Sequence, residues 1–259
     1  MPLQVNEIFF SIQGESSHAG RPCAFIRLTG CNLRCSYCDT AYAYDEGSWL
    51  EIGEIERQIR SFHCRLVEIT GGEPLLQAET PELIRTLLDR HYTVLLETNG
   101  SREIGVVDER CIRIVDVKCP SSGESEKNRL ENLDIITPND EVKFVIGNRE
   151  DFAYAKSIIS THLSHRNDLK PPLISPVFGR IDPESLARWI LEDQLDVRLQ
   201  IQLHKVIWGT EKRGVYAGKG TDFQICPLTR GWLRRCAPCM VRKGRNSTTF
   251  AEKGVYHVR

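Results

Sequence analysis

The chain has 259 residues, 41% of them apolar, and 34 basic against 35 acidic side chains give a formal net charge of −1. That is enough apolar material for one sizeable core. No apolar run approaches the ~18 residues of a spanning helix, and residues 1–7 (Met-Pro-Leu-Gln-Val-Asn-Glu) lack the basic start of a signal peptide, so a membrane or exported protein is disfavoured and a cytoplasmic one expected.

Residues 5–10 (Val-Asn-Glu-Ile-Phe-Phe) read as a first short strand, and Ser11-Ile12-Gln13-Gly14-Glu15 follows as a turn. Gly14 permits the tight backbone, leaving Gln13 and Glu15 to present an amide and a carboxylate to one point. A plain solvated turn is the alternative, because polar residues beside glycine commonly form one. Residues 23–28 (Cys-Ala-Phe-Ile-Arg-Leu) are an apolar run interrupted by Arg27, ordinarily an outward-facing charge on such a strand.

Cys31, Cys35 and Cys38 then stand at the spacing C-x3-C-x2-C on a loop. Three thiolates so placed can hold three corners of a four-iron cluster and leave the fourth iron without a protein ligand. An iron open in this way can chelate the amino and carboxylate groups of S-adenosylmethionine and reduce its sulfonium. A structural zinc site would want a fourth thiolate or imidazole at similarly short spacing, and the next Cys or His is His63. Disulfides are disfavoured in a chain without a secretory segment; its ten cysteines point instead to metal chemistry. Asp39 and Thr40 add hard oxygens beside the thiols, although on their own they would pass for a cap or turn.

Ser48-Trp49-Leu50-Glu51 reads as a capping box for a helix running to about Phe62, with Ile52, Ile55, Ile59 and Phe62 on one face. Residues 66–69 read as a buried strand ending at Thr70-Gly71-Gly72-Glu73-Pro74, where two glycines permit close backbone approach to a ligand, or simply a tight turn. Thr80-Pro81-Glu82 opens the next helix with a cap and an early proline. Residues 92–97 and 112–117 are strands; the first closes on Thr98-Asn99-Gly100, and Lys118-Cys119-Pro120 follows the second, with Cys119 a passenger. Residues 142–146 form another strand, and Asn148 caps a helix through Leu163. Residues 173–177 come next, Asp182-Pro183-Glu184 starts a further helix, and residues 197–203 are the last strand, followed by His204. Strand–helix alternation of this kind predicts a parallel sheet covered by helices, with ligands gathering at the strands' carboxyl ends.

The Ser-Ile-Gln-Gly-Glu turn, the cysteine motif with Asp39-Thr40, and Thr70-Gly71-Gly72-Glu73-Pro74 resemble the radical S-adenosylmethionine superfamily and, within it, the 7-carboxy-7-deazaguanine synthases, over residues 1–215. The cysteine motif alone fits the whole superfamily. The resemblance implies an α/β fold, a partial, open (β/α) barrel of about six parallel strands, with a [4Fe-4S] cluster on Cys31, Cys35 and Cys38. It implies a lyase converting 6-carboxy-5,6,7,8-tetrahydropterin to 7-carboxy-7-deazaguanine with loss of ammonia, for queuosine and 7-deazapurine biosynthesis, with no catalytic side chain beyond the 5′-deoxyadenosyl radical. Substrate would be bound by Ile12, Gln13, Gly14, Glu15, Arg27, Thr70 and His204, with Arg27 turned inward onto a carboxylate. S-adenosylmethionine would meet Tyr37, Cys38, Asp39, Gly72, Asp116, Val117, Lys118, Ser175, Pro176, Val177 and Phe178, and Mg²⁺ would meet Thr40. A homodimer and a flavodoxin-like or ferredoxin-like electron donor are also implied, with no nucleic acid on the core. An activase that places a radical on a partner's glycine shares the cysteine motif but leaves Gln13, Glu15 and Arg27 unexplained.

From Tyr216 onward nine Lys and Arg face only Asp222 and Glu252, a net +7 that leaves −8 for the remainder and marks residues 216–259 as a separate basic tail. Cys226, Cys236 and Cys239, with His257, are a weak zinc or second-cluster signal there; a basic appendage is the plainer reading. A zinc-stabilised nucleic-acid adaptor using this tail for phosphate contacts is the non-enzymatic alternative.

Overall fold

The computed structural model describes residues 2–210 and Gly214; the boundary expected near Val215, and with it Cys226, Cys236, Cys239 and His257, lies outside the described residues. The chain begins with β1 (Leu3–Ile12) and β2 (Pro22–Leu28), an antiparallel pair joined through the Gln13–Gly14–Glu15 turn. After the cysteine loop come β3 (Ser48–Leu50) and α1 (Ile52–Arg60), then β4 (Leu66–Gly71), α2 (Thr80–Asp89), β5 (Thr93–Thr98) and β6 (Ile112–Val117). The second half adds β7 (Glu141–Ile146), α3 (Arg149–Ile158), β8 (Leu173–Pro176), α4 (Pro183–Glu192), β9 (Arg198–Leu199) and α5 (Leu203–Trp208).

These strands form one open sheet in the order β3-β1-β2-β4-β5-β6-β7-β8-β9. From β2 to β9 every neighbouring pair is parallel, seven strands rather than about six, and β1 and β3 extend the edge antiparallel. Side chains alternate across each strand. On β4, Val67 and Ile69 pack against Ile55 and Ile59 of α1 and Leu83, Ile84 and Leu87 of α2. Phe144 and Ile174 make the matching layer with Phe152 and Leu186. The opposite, inner face carries a smaller cluster of Cys23, Phe25, Leu66, Leu95 and Ile114. Burying one such Ile or Leu side chain contributes about 1.5–3 kcal/mol.

Three local expectations are corrected. Residues 48–50 are not a capping box but β3, paired with β1 through Leu3↔Leu50 and Val5↔Ser48; α1 starts at Ile52 behind Glu51, whose side chain makes no capping hydrogen bond. Pairing with an open edge overrode the local helix signal. Thr80 is inside α2 rather than capping it, and its hydroxyl donates to Pro74 O at 2.6 Å. The last strand shrinks to Arg198–Leu199 because Leu203 N donates to Gly14 O (3.0 Å), drawing the chain over the first turn, so His204 lies in α5. Elsewhere the caps are as expected: Asn148 accepts from Asp151 N at 2.9 Å and Asp182 from Ser185 N at 3.3 Å.

Candidate active site

At the carboxyl ends of the parallel strands lies a cavity of about 740 Å³. Its wall is set by strand parity. Two residues beyond the apolar inner positions Leu66, Leu95 and Ile114 come Glu68, Glu97 and Asp116, which therefore point the same way, and Asp116 is in register with Lys143. One more step up the strands come Thr70, Asn99 and Lys118.

The cysteine loop forms the cavity's upper side. Cys31, Cys35 and Cys38 all line it, as do Tyr37, Asp39 and Thr40. The loop is anchored on both flanks: Glu73 N donates to Gly30 O (2.7 Å), Arg34 N to Glu124 Oε1 (2.7 Å) and Ser36 N to Ser122 O (2.9 Å). Gly72 has to be glycine for this contact, since a Cβ would stand 2.1 Å from Gly30 O and 2.8 Å from Cys31 Cβ. Glu73 is fully buried and knits the same turn to β5, accepting from Leu75 N, Thr98 Oγ1 and Asn99 N at 2.7–3.0 Å. Burial pushes the Cys31 thiol up and the Cys35 thiol up to about 11.

Facing the thiols is a polar end. Glu15 accepts from Lys143 Nζ (2.9 Å), Gln200 Nε2 (3.1 Å) and Gln202 Nε2 (2.8 Å). Burial alone would push its pKa up, but the Lys143 ammonium, joined by His204 at the acidic pH where that imidazole is charged, outweighs burial and holds Glu15 ionised below the usual carboxylate range. Lys143 is 4% exposed and also pairs with Glu97; burial opposes its charge, but Glu15, Glu97 and Asp116 keep it protonated. Gln13 donates from Nε2 to Glu68, whose carboxyl is driven well above its ordinary value by burial and by the neighbouring Glu97. Arg27 does face inward, its Nε donating to Glu7 Oε1 at 2.8 Å, where Tyr42 also donates (2.9 Å). The Arg27 Nη groups have no hydrogen-bond partner among the described residues, so the guanidinium can still grip a carboxylate.

His204 lies against Gly14: a Cβ on Gly14 would meet its Nδ1 at 2.0 Å. Burial lowers the imidazole below its ordinary value, which leaves it neutral near pH 7. Next to it, Lys205 Nζ pairs with Asp39 Oδ2 at 2.6 Å, and Asp39, although burial resists its ionisation, is drawn down to about 2. The Thr40 hydroxyl donates to Asp39 Oδ1 at 3.0 Å, leaving its lone pairs for another partner.

Of the remaining expected residues, Ile12, Gly14, Thr70, Gly72, Asp116, Lys118, Val177 and Phe178 line the cavity. Val117 packs in the outer core, and Ser175 and Pro176 belong to β8 outside the lining. Glu68, Glu97, Lys143, Gln202 and Lys205 were not anticipated. The period-2 recurrence of polar residues within otherwise apolar strands (Glu68/Thr70, Glu97/Asn99, Asp116/Lys118) is the signal that points to the first two.

Residues 25–161 match the radical SAM superfamily. The chain is 45% identical over 227 residues to a 7-carboxy-7-deazaguanine synthase of Koribacter versatilis, covering 82% of this chain and 100% of that one. It is 46% identical over 218 residues to the enzyme of that name from Chlorobaculum tepidum, covering 83% and 98%. The chain belongs to the 7-carboxy-7-deazaguanine synthases. A crystal structure of QueE from Escherichia coli shares the fold, with a TM-score of 0.65 at 22% identity over 79% of this chain and 95% of that one.

A 7-carboxy-7-deazaguanine synthase of the radical SAM superfamily implies a [4Fe-4S] cluster and S-adenosylmethionine, and the residues present fit both. The three thiols are soft ligands on one anchored loop, and all three line the same cavity. Below them Asp116 Oδ1 is buried with no hydrogen-bond partner among the described residues, although Asp116 Oδ2 accepts from Lys118 at 2.7 Å. An orphan acceptor at the cavity wall suits a bound group that brings an amino or hydroxyl donor. Among the described residues no helix is long and apolar enough to cross a membrane.

Proposed function

We propose that this synthase converts 6-carboxy-5,6,7,8-tetrahydropterin to 7-carboxy-7-deazaguanine with loss of ammonia, as a cytoplasmic step toward queuosine and related 7-deazapurines. The observation that carries the reading is one cavity with three thiols on one side and Gln13, Glu15 and Arg27 on the other. When bound, the cluster and S-adenosylmethionine supply a 5′-deoxyadenosyl radical. Cys31, Cys35 and Cys38 hold the cluster, and Asp116, Lys118, Gly72 and the Val177–Phe178 stretch border the space for S-adenosylmethionine. Glu15, ionised and held from behind by Lys143, keeps acceptor capacity on Oε1, where only Gln202 donates, for an N–H of an amino-pyrimidinone edge. Gln13 reads the adjoining atom of that edge, Arg27 takes the substrate carboxylate, and His204 with Thr70 closes over the ring. Thr40 would contribute a hard oxygen to Mg²⁺, a cation that commonly keeps several waters and takes substrate oxygens as further ligands. The lone pairs of its hydroxyl, which donates only to Asp39, support that assignment.

The enzyme works as a homodimer reduced by a flavodoxin-like or ferredoxin-like donor. The deciding experiment is anaerobic incubation of the reconstituted protein with the carboxy-pterin, S-adenosylmethionine, Mg²⁺ and reductant. Formation of the deazaguanine is expected; its absence with iron and sulfide at full content refutes the reading. Omitting Mg²⁺ tests the metal separately.

A further inference from the structure

The proposed reading leaves the Gln13 amide needing a definite orientation, and the sequence offers nothing beside it that would set one. The structure does. Gln13 is 3% exposed, and its carbonyl Oε1 accepts from Glu15 N at 3.1 Å while its Nε2 donates to Glu68 Oε2. A backbone N–H can only donate, and Glu68 Oε2 is placed to accept, so the two partners together define which end of the amide is which. One N–H of Gln13 remains, and Gln13 and Glu68 both line the cavity.

We infer that Glu68 is a positioning residue which locks the Gln13 amide with an N–H turned to the cavity, and thereby makes the site select a heterocycle presenting a carbonyl rather than an amino group beside the edge bound by Glu15. The inference rests on the proposed function and names the chemistry it selects: a 4-oxo-2-amino pteridine over its 2,4-diamino counterpart. Released from Glu68, the amide is held only by the Glu15 N–H at 3.1 Å, one neutral hydrogen bond in place of two, and the turned amide, whose oxygen would meet an amino group, becomes far more accessible. Glu68 is 4% exposed on the rigid β4, sits two residues before Thr70 and has no link to the thiols. Its loss should therefore alter selectivity without altering cluster content. The protonated state favoured by burial is compatible with this role, since the proton can reside on Oε1 while Oε2 accepts.

The test measures equilibrium binding to anaerobic holoenzyme with S-adenosylmethionine and no reductant, using the fluorescence of pterin-6-carboxylate and of 2,4-diaminopteridine-6-carboxylate. The wild type is expected to prefer the oxo compound by about 30-fold or more, the size of effect that leaving a buried donor without an acceptor imposes. Glu68→Gln, whose amide oxygen can still accept from Gln13, should keep that preference within about 3-fold. Glu68→Leu and Glu68→Met should lower it to about 3-fold or less, with iron content unchanged. Replacing a buried carboxylate by an apolar side chain of similar volume is commonly tolerated, and if both apolar variants fail to fold, the Gln arm still decides. An unchanged preference in Leu or Met, or its loss in Gln, overturns the inference. A wild type that binds neither pteridine fails the proposed function instead.

Discussion

Lys143 is the cation on which the polar end of the cavity depends, and Lys143→Met isolates its contribution. Its side chain is 5% exposed and faces three carboxylates: Glu15 at 2.9 Å, Glu97 in closer contact, and Asp116 at 3.9 Å. Methionine fills similar volume, so the loss is electrostatic rather than a cavity. Removing one partner of a buried ion pair costs about 3–5 kcal/mol, because the charge left behind is uncompensated. At about 2–4 °C per kcal/mol for a chain of this size, the melting temperature should fall by about 6–20 °C at pH 8. The pH dependence follows from Glu15. In the wild type its folded value is depressed, so its contribution is present above the unfolded value of about 4.3 and is lost as pH falls through the folded one. Without Lys143 burial dominates, the folded value rises, and stability is lost instead as pH increases. The gap between variant and wild type should therefore be wide at pH 8 and narrow toward pH 5. Circular dichroism melts of anaerobic holoenzyme at matched iron content measure it. A loss under about 2 °C, or one independent of pH, refutes the assignment of Lys143 as the charge that holds Glu15.

Three further outcomes are expected. Gly14→Ala should expel the His204 ring, whose Nδ1 would lie 2.0 Å from the new Cβ, and lower kcat/KM about 100-fold by misplacing a substrate contact. Because α5 buries no residue, its melting temperature should stay within about 2 °C of wild type, and a large thermal loss would tell against this account. Glu68→Gln removes an acid whose folded value is raised, a group that destabilises the wild type progressively as pH rises from its unfolded toward its folded value. The variant's advantage in urea denaturation should grow by up to about 1.4 kcal/mol per pH unit over that interval, and a flat difference would contradict it. Reconstitution of apoprotein should accelerate between pH 7 and 9, since burial holds Cys35 up at about 11 and only the thiolate binds iron. Iron uptake followed by absorbance checks this; a rate that falls with pH rejects it.

Much of this protein was legible in the chain itself. Three cysteines at C-x3-C-x2-C, a strand–helix alternation and the Gln13–Gly14–Glu15 turn are local patterns, and local patterns survive reading in one dimension. Asn148 and Asp182 were legible as caps for the same reason: each acts on a backbone N–H three residues away. Residues 48–50 were not, because an unpaired edge on β1, distant in sequence, converts a helix signal into a strand. Nor could the spacing of residues reveal that Lys143 serves Glu15 across 128 positions, or that Glu68 holds Gln13 across 55. The residue types that do chemistry were declared by the sequence. Which carboxylate is ionised, which amide is oriented and which glycine must lack a side chain were decided only when parallel strands brought charges into one cavity, where burial and neighbours outweigh intrinsic preference.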